Sequence, residues 1–131
     1  MDWYDLYEDV IVLDFEFFSA TEGDRQNPVC LVAESLRTGL QTRLWITGEV
    51  QCPLPIGPEY LYVGYFASAE WNCFLSLGWD IPARIIDLYP EYRRMANGAV
   101  GYTMRLGYGL LAAAEAFGVV AMDVNYKADM R

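Results

Sequence analysis

The stretch VIVLDFEFF, residues 10–18, constrains the fold of this chain more than any other segment. Its β-branched and aromatic residues predict a short strand over residues 10–17. Because apolar residues occupy both faces, we expect this strand to lie in the centre of a sheet covered on both sides. Asp14 and Glu16 are two positions apart, so their side chains leave the strand on the same face. Two like charges that repel and lose water there should become protonated or hold a cation.

A simpler interpretation of Asp14 and Glu16 is an edge strand whose alternate side chains face water. A third carboxylate would favour ion binding, and Glu70 is the candidate because it follows the predicted strand over residues 60–66 after a short step. If that strand lies beside the first, Glu70 reaches the same end of the sheet. An acidic residue in a first helical turn also stabilises the helix dipole, so Glu70 has a structural alternative too.

The rest of the chain alternates strand and helix patterns. Thr38-Gly39 lies between two apolar runs and predicts a hairpin, and Ser68 and Gly78 are the predicted N-cap and end of the first helix. The further predicted elements are strands over 29–36, 42–47 and 83–89, and helices over 68–79, 90–97 and 103–119. This order, β-β-β-β-α-β-α-α, predicts an α/β fold: an antiparallel hairpin run, then parallel strands, with helices packed on the sheet.

Composition limits the chemistry that is open to the chain. The 131 residues suit one domain, and 54% of them are hydrophobic, which is enough for a core. The absence of histidine excludes histidine triads and histidine metal ligands, and the three cysteines are too widely spaced to indicate a zinc ribbon or a disulfide framework. A net charge of −9 has the wrong sign for binding nucleic acid through phosphates alone. No apolar run predicts a membrane span, and the acidic N-terminus does not resemble a secretory signal. Because the cysteines do not indicate a disulfide framework, we expect a cytoplasmic protein.

Three segments, two of which overlap, carry a resemblance to a known family. VLDFEF resembles the first motif of the DnaQ-like, or DEDD, 3′–5′ exonucleases. YVGYFASAEWNCFLSLGW resembles the second motif of the proofreading domain of family A DNA polymerases, with Phe66 at its Asn position and Glu70 at its Asp position. CFLSLGWDIPARIIDLYPEYR is most similar to phage- or plasmid-type polymerases of that group. The resemblance spans about residues 9–131 and implies a ribonuclease H-like mixed sheet.

The resemblance implies a proofreading-type 3′–5′ exonuclease that hydrolyses phosphodiester bonds of DNA with two divalent cations, Mg²⁺ or Mn²⁺. Asp14 would bridge the two ions, Glu16 would bind the ion that activates water, and Glu70 would bind the second. The implied substrate is the 3′ end of single-stranded DNA, and Phe17 and Phe18 are candidates, by position, to separate the terminal base. A polymerase domain, a partner chain or a second copy of the chain would be protein partners in a bacterial host cell, with the gene carried by a phage or plasmid.

The chain departs from that family at its end. The third motif places a fourth carboxylate after Tyr or His on a late helix, but Tyr126 is followed by Asp129 at +3 rather than +4, and Asp123 is the other nearby acid. We therefore expect residues 1–131 to form a single exonuclease-like domain without the third-motif helix, and with weak or no activity as this short chain. The alternatives are a non-catalytic binding or assembly module of the same fold, a fragment completed by another chain, or, outside the family, a small acidic α/β binding protein whose carboxylates lie on its surface.

Overall fold

The computed structural model describes residues 2–19, 25–97 and 107–119. The chain divides into two compact units, Met1–Leu88 and Tyr89–Arg131. Predictions for the tail, including Asp123, Tyr126 and Asp129, lie outside the described residues, as does the first part of the helix predicted over 103–119. None of the helices in the described part of the chain has the length and apolar character that a membrane crossing requires.

Within the described residues, the order of strands and helices agrees with the predicted order. A short 3-10 helix at Trp3–Leu6 comes first, and the strands and helices follow. They are β1 (Asp9–Ser19), β2 (Gln26–Ser35), β3 (Gln41–Trp45), β4 (Tyr60–Gly64), α1 (Ala67–Ser76), β5 (Ile85–Asp87), α2 (Leu88–Ala96) and α3 (Leu110–Ala116).

The five strands form one mixed sheet in the order β3-β2-β1-β4-β5. The pairs β1–β2 and β2–β3 are antiparallel, whereas β1–β4 and β4–β5 are parallel. The predicted α/β fold, with an antiparallel run followed by parallel strands, is therefore confirmed, and β1 is the central strand. The predicted hairpin at Thr38-Gly39 joins β2 and β3, and Gly39 has a φ of 72°, which a residue with a side chain adopts only with strain.

One face of the sheet is buried under α1. Alternate residues of β1, among them Leu13 and Phe15, point into this core. The Phe74 ring of α1 lies 5.7 Å from the Phe15 ring and 5.4 Å from the Trp79 ring. Both pairs have the edge-to-face arrangement that aromatic rings prefer. The long loop before β4 is fixed to the same core, because Trp79 Nε1 donates a hydrogen bond to the Val50 carbonyl at 2.7 Å.

Among the described residues of the Met1–Leu88 unit, the opposite face, called the open face below, carries a covering cluster at one end. There Val10, Leu61 and Val63 pack with two tyrosines of the N-terminal segment, Tyr4 and Tyr7. Farther along β1, Val12 is 36% exposed, and the alternate positions of β2 and β3 are also accessible. The prediction that β1 is covered on both sides is therefore wrong at its carboxyl end. An unbroken apolar run does not reveal which of its faces a helix covers.

An arginine fastens the N-terminal segment to the sheet. The Arg37 guanidinium donates hydrogen bonds to the carbonyls of Tyr4 and Tyr7 at 2.6 and 2.7 Å. Its carbon lies 4.3 Å from the centre of the Tyr4 ring, a cation–π contact. The β2–β3 hairpin thereby holds the 3-10 helix over the apolar end of the open face.

The Tyr89–Arg131 unit has its own aromatic cluster. The Tyr92 ring lies 6.3 Å from the Tyr108 ring and 6.4 Å from the Phe117 ring. The Arg93 guanidinium stacks 5.0 Å from the centre of the Tyr108 ring. These contacts tie α2 to the residues around α3.

Candidate carboxylate site

The position of Glu70 depends on how α1 begins. Phe66, the N-cap residue, has a φ of 64°, the only positive φ among the described non-glycine residues. The Asp87 carboxylate at the end of β5 accepts hydrogen bonds from the N–H groups of Phe66 at 2.9 Å and Ala67 at 3.0 Å. The predicted N-cap at Ser68 is therefore wrong, because a carboxylate from a distant strand satisfies the first helical donors in its place. The predicted end at Gly78 is confirmed by its φ of 69° and its hydrogen bond to Leu75.

The predicted neighbouring strand brings Glu70 to β1. β4 lies beside β1 in parallel register, and the ladder extends from Asp9 opposite Tyr60 to Val12 opposite Val63. Beyond Val12, the Glu70 Oε2 atom accepts a hydrogen bond from the Phe15 N–H at 2.8 Å. The carboxylate therefore takes the place of a strand carbonyl where β4 has ended, and a buried backbone donor of the central strand is satisfied.

Glu70 is buried and carries an unusual proton affinity. Only 4% of its surface is exposed. Burial, followed by the nearby charge of Asp14, raises the pKa of Glu70 to about 8, although the Phe15 N–H acts in the opposite direction and Glu16 adds a smaller increase. With no cation beside it, this carboxyl group is therefore mostly protonated at neutral pH.

Asp14 and Glu16 lie on the open face, and both side chains are exposed to solvent. The prediction that these two carboxylates lose water is therefore wrong, and the desolvated member of the set is Glu70. Both of them nevertheless raise the pKa of Glu70, which places three acidic groups within electrostatic reach around the middle of β1. The Cys73 thiol adjoins the same cluster: burial first, and then Glu70 and Asp14, raise its pKa to about 12.

The three acids are not arranged as a finished coordination sphere. Across residues 2–19, 25–97 and 107–119, no three His, Cys, Asp or Glu side chains form a group that could hold a metal ion as they stand. A cation shared by all three carboxylates would require their side chains to rotate towards one another. The backbone already provides the common location, since two of the three are on β1 and the third is hydrogen-bonded to the residue between them.

Other acidic and aromatic side chains of this region occupy structural or surface positions. Asp87 caps α1, a structural role that is common for an acid at a strand end. Phe18 is 70% exposed beyond Glu16, whereas Phe17 packs against the core. Trp71 also packs on the core, with its ring 5.5 Å from the Phe74 ring.

Sequence reasoning missed Trp45, which is 72% exposed on the open face. Its position in the sequence could have indicated this exposure, because Trp45 lies two positions after the charged Arg43 in a strand that alternates exposed and half-buried residues. Such alternation puts both side chains on the solvent-facing side of the strand.

Comparisons with known proteins give a structural likeness. No family model matches the chain, and no curated protein matches it. A chain of the solved structure "Structure of yeast NOT1 MIF4G domain co-crystallized with CAF1" is similar, with a TM-score of 0.57 and 9% sequence identity. The likeness covers 92% of this chain and 73% of that chain. At this identity the likeness concerns the fold alone.

This finding corrects the predicted family. The motifs predict a DnaQ-like exonuclease domain of the family A polymerase type, but no family model supports that membership, and the similar structure is one of a NOT1 MIF4G domain with CAF1. Short motifs are a weak basis for such a prediction. A D-x-E pattern also arises wherever the solvent-facing positions of a strand are acidic, and Asp14 and Glu16 are such positions.

Proposed function

We propose that this chain binds divalent cations, Mg²⁺ or Mn²⁺, through Asp14, Glu16 and Glu70, and hydrolyses phosphodiester bonds at the 3′ end of single-stranded DNA. The observation that carries this proposal is the buried carboxyl group of Glu70. It lies beside the middle of the central strand, bonded to the Phe15 N–H, with its pKa raised to about 8 beside two further carboxylates. Strongly perturbed acids of this kind are concentrated at functional sites.

The cation preference follows from the donors at hand. Three carboxylates with no histidine form an all-oxygen set, which suits Mg²⁺ or Mn²⁺. Glu70 Oε2 is engaged by the Phe15 N–H, so Oε1 is the atom that we assign to the cation. Bound cations would activate water and stabilise the departing oxygen of the cleaved ester. Asp14 would bridge two ions, while Glu16 and Glu70 would each hold one.

We also infer that the sheet is of the ribonuclease H-like kind. The order β3-β2-β1-β4-β5, antiparallel up to β1 and parallel beyond it, supports this inference. β4 ends at Gly64 and α1 begins at Ala67, so the carboxyl end of β4 and the N-terminus of α1 lie beside the part of β1 that carries Asp14 and Glu16. In parallel α/β arrangements this end of the sheet is where ligands bind.

The proposed activity is tested with a short single-stranded DNA carrying a 5′ label, incubated with millimolar Mn²⁺. We expect slow shortening from the 3′ end that stops when a chelator removes the cation. Glu70→Gln and Asp14→Asn should each abolish it. The matched control is Glu34→Gln, which removes one charge from the same sheet face but alters a carboxylate that is hydrogen-bonded to Gln41. If the unmodified chain never shortens the labelled DNA, the catalytic part of the proposal is wrong.

A second candidate is a non-catalytic binding or assembly module, which could act with a polymerase domain, a partner chain or a second copy of itself. The similar structure favours it, because that structure holds two proteins crystallised together. This alternative predicts saturable Mn²⁺ binding without DNA shortening, whereas a surface cluster of acids predicts neither. The location of the protein, in the cytoplasm of a bacterial host with the gene carried by a phage or plasmid, stays a prediction.

A further inference from the structure

The open face carries two more features beside the carboxylates, both on the edge strand β3. Trp45 is 72% exposed, one of the most accessible large apolar side chains among the described residues. Arg43, two positions earlier, is exposed on the same face and donates a hydrogen bond to Gln41 at 2.8 Å. Leu44, between them, packs into the core on the opposite face, and this alternation fixes the direction of both neighbours.

The strand register aligns these residues with the carboxylates in two rows across the sheet. One row contains Glu16, Cys30 and Trp45, which are paired in sequence across β1, β2 and β3. The next row contains Asp14, Val32 and Arg43 in the same way. Neighbouring strands are about 4.8 Å apart, so the edge residues lie about 10 Å from the carboxylates.

The surface of β2, which lies between the carboxylates and the two β3 residues, suits a sugar or base better than an ion. Val32 is 43% exposed, and Cys30 is partly accessible. The open face thus runs from acidic oxygens, over an apolar floor, to an exposed indole and a guanidinium. A nucleotide strand has matching groups in that order: a phosphate to meet cations, then sugar and base, then a further base and phosphate.

We propose that Trp45 is a stacking platform for a base of single-stranded DNA whose 3′-terminal phosphodiester linkage lies at the carboxylates, and that Arg43 contacts the phosphate beside that base. This proposal rests on the proposed function and adds the direction in which the substrate crosses the sheet. The net charge of −9 strengthens the case for stacking, because an acidic chain cannot hold DNA by phosphate contacts alone. Base–aromatic stacking is independent of charge and tolerant of sequence.

The test measures binding of a labelled oligothymidylate that has a phosphorothioate at its 3′ terminal linkage, in the presence of Mn²⁺. We expect Trp45→Ala to weaken binding by about five-fold or more, and Trp45→Phe to restore most of the affinity, because a flat ring remains. Trp3→Ala is the matched control, since Trp3 is also exposed, at 55%, but lies on the 3-10 helix. An oligomer with abasic sites should bind the unmodified chain and Trp45→Ala equally.

The outcomes separate this proposal from the proposed function. Mn²⁺ binding to the chain without DNA is measured in parallel and tests the carboxylates alone. If Mn²⁺ binds but Trp45→Ala binds the oligomer as tightly as the unmodified chain does, the stacking platform is wrong and the cation site stands. If Mn²⁺ does not bind, the cation site is wrong, and the platform is judged with chelator present: weaker binding by Trp45→Ala supports it, and unchanged or absent binding overturns it.

Discussion

The Glu70 carboxylate accepts a hydrogen bond from the Phe15 N–H at 2.8 Å, although the two residues are 55 positions apart in the sequence. This bond joins the first turn of α1 to the central strand at the point where β4 ends. It also explains how an acid can be buried there, because a protonated carboxyl group still accepts a hydrogen bond through one oxygen. A cation would be the alternative partner for the charged form.

The raised pKa of Glu70 predicts an unusual dependence of stability on pH. The folded-state pKa is about 8 against an ordinary value of 4.5, so the folded state holds the proton more tightly than the unfolded state. Stability is therefore fully present below pH 4.5 and is lost as pH rises towards 8, at up to about 1.4 kcal/mol per pH unit. Chemical denaturation without divalent cations, repeated at several pH values, measures this slope.

Glu70→Gln is the matched variant for the pH experiment. It has no titrating group at this position, so the fall in stability between pH 4.5 and 8 should be much smaller. The Cys73 thiol, whose pKa burial raises to about 12, stays protonated throughout this pH range, so it does not account for the fall. An equal fall in both proteins would show that Glu70 is not the group responsible.

Removing the acceptor, rather than the charge, has a different predicted result. Glu70→Ala leaves the buried Phe15 N–H without its partner, which costs about 1–3 kcal/mol in the free energy of unfolding. Glu70→Gln keeps a carbonyl oxygen in reach and should cost much less at pH 5, where Glu70 is protonated. Thermal unfolding of the three proteins at that pH measures the difference. Equal losses in both variants would contradict the role of the hydrogen bond.

Asp87 is predicted to stabilise the chain from the end of β5. Asp87→Ala removes the acceptor of the Phe66 and Ala67 N–H groups, at a cost of about 0.5–2 kcal/mol. Asp87→Asn keeps one acceptor oxygen and should lose less. Because α1 carries Glu70, Asp87→Ala should also weaken Mn²⁺ binding. Full Mn²⁺ affinity in a folded Asp87→Ala protein would show that the cap does not position Glu70.

Arg37 is predicted to control release of the N-terminal segment. Arg37→Ala loses both hydrogen bonds to the carbonyls of Tyr4 and Tyr7 and the contact with the Tyr4 ring. Limited proteolysis should then cleave near the 3-10 helix faster than in the unmodified chain. Arg37→Lys keeps the charge but not the planar guanidinium, so an intermediate rate is expected. Identical cleavage of all three proteins would contradict the fastening role.

The sequence predicted the sheet well because its signals are local. VIVLDFEF and YLYVGYF are short β-branched and aromatic runs, and both became strands of the sheet. The errors came from contacts between distant residues. Nothing near Ser68 shows that Asp87 would cap α1, and nothing near Val12 shows that its side of β1 would stay open. The acidic positions were found from the sequence, but burial of Glu70 rather than Asp14 depends on α1 packing against β1.

The central claim is that Glu70 exchanges its proton for a divalent cation. Isothermal titration of Mn²⁺ into the chain at pH 7, in buffers of different ionisation enthalpy, measures the protons released on binding. Because the pKa of Glu70 is about 8, saturable binding should release about one proton per ion, and Glu70→Gln should release much less and bind more weakly. The claim is contradicted if Mn²⁺ does not bind, or if it binds Glu70→Gln with the same affinity and the same proton release.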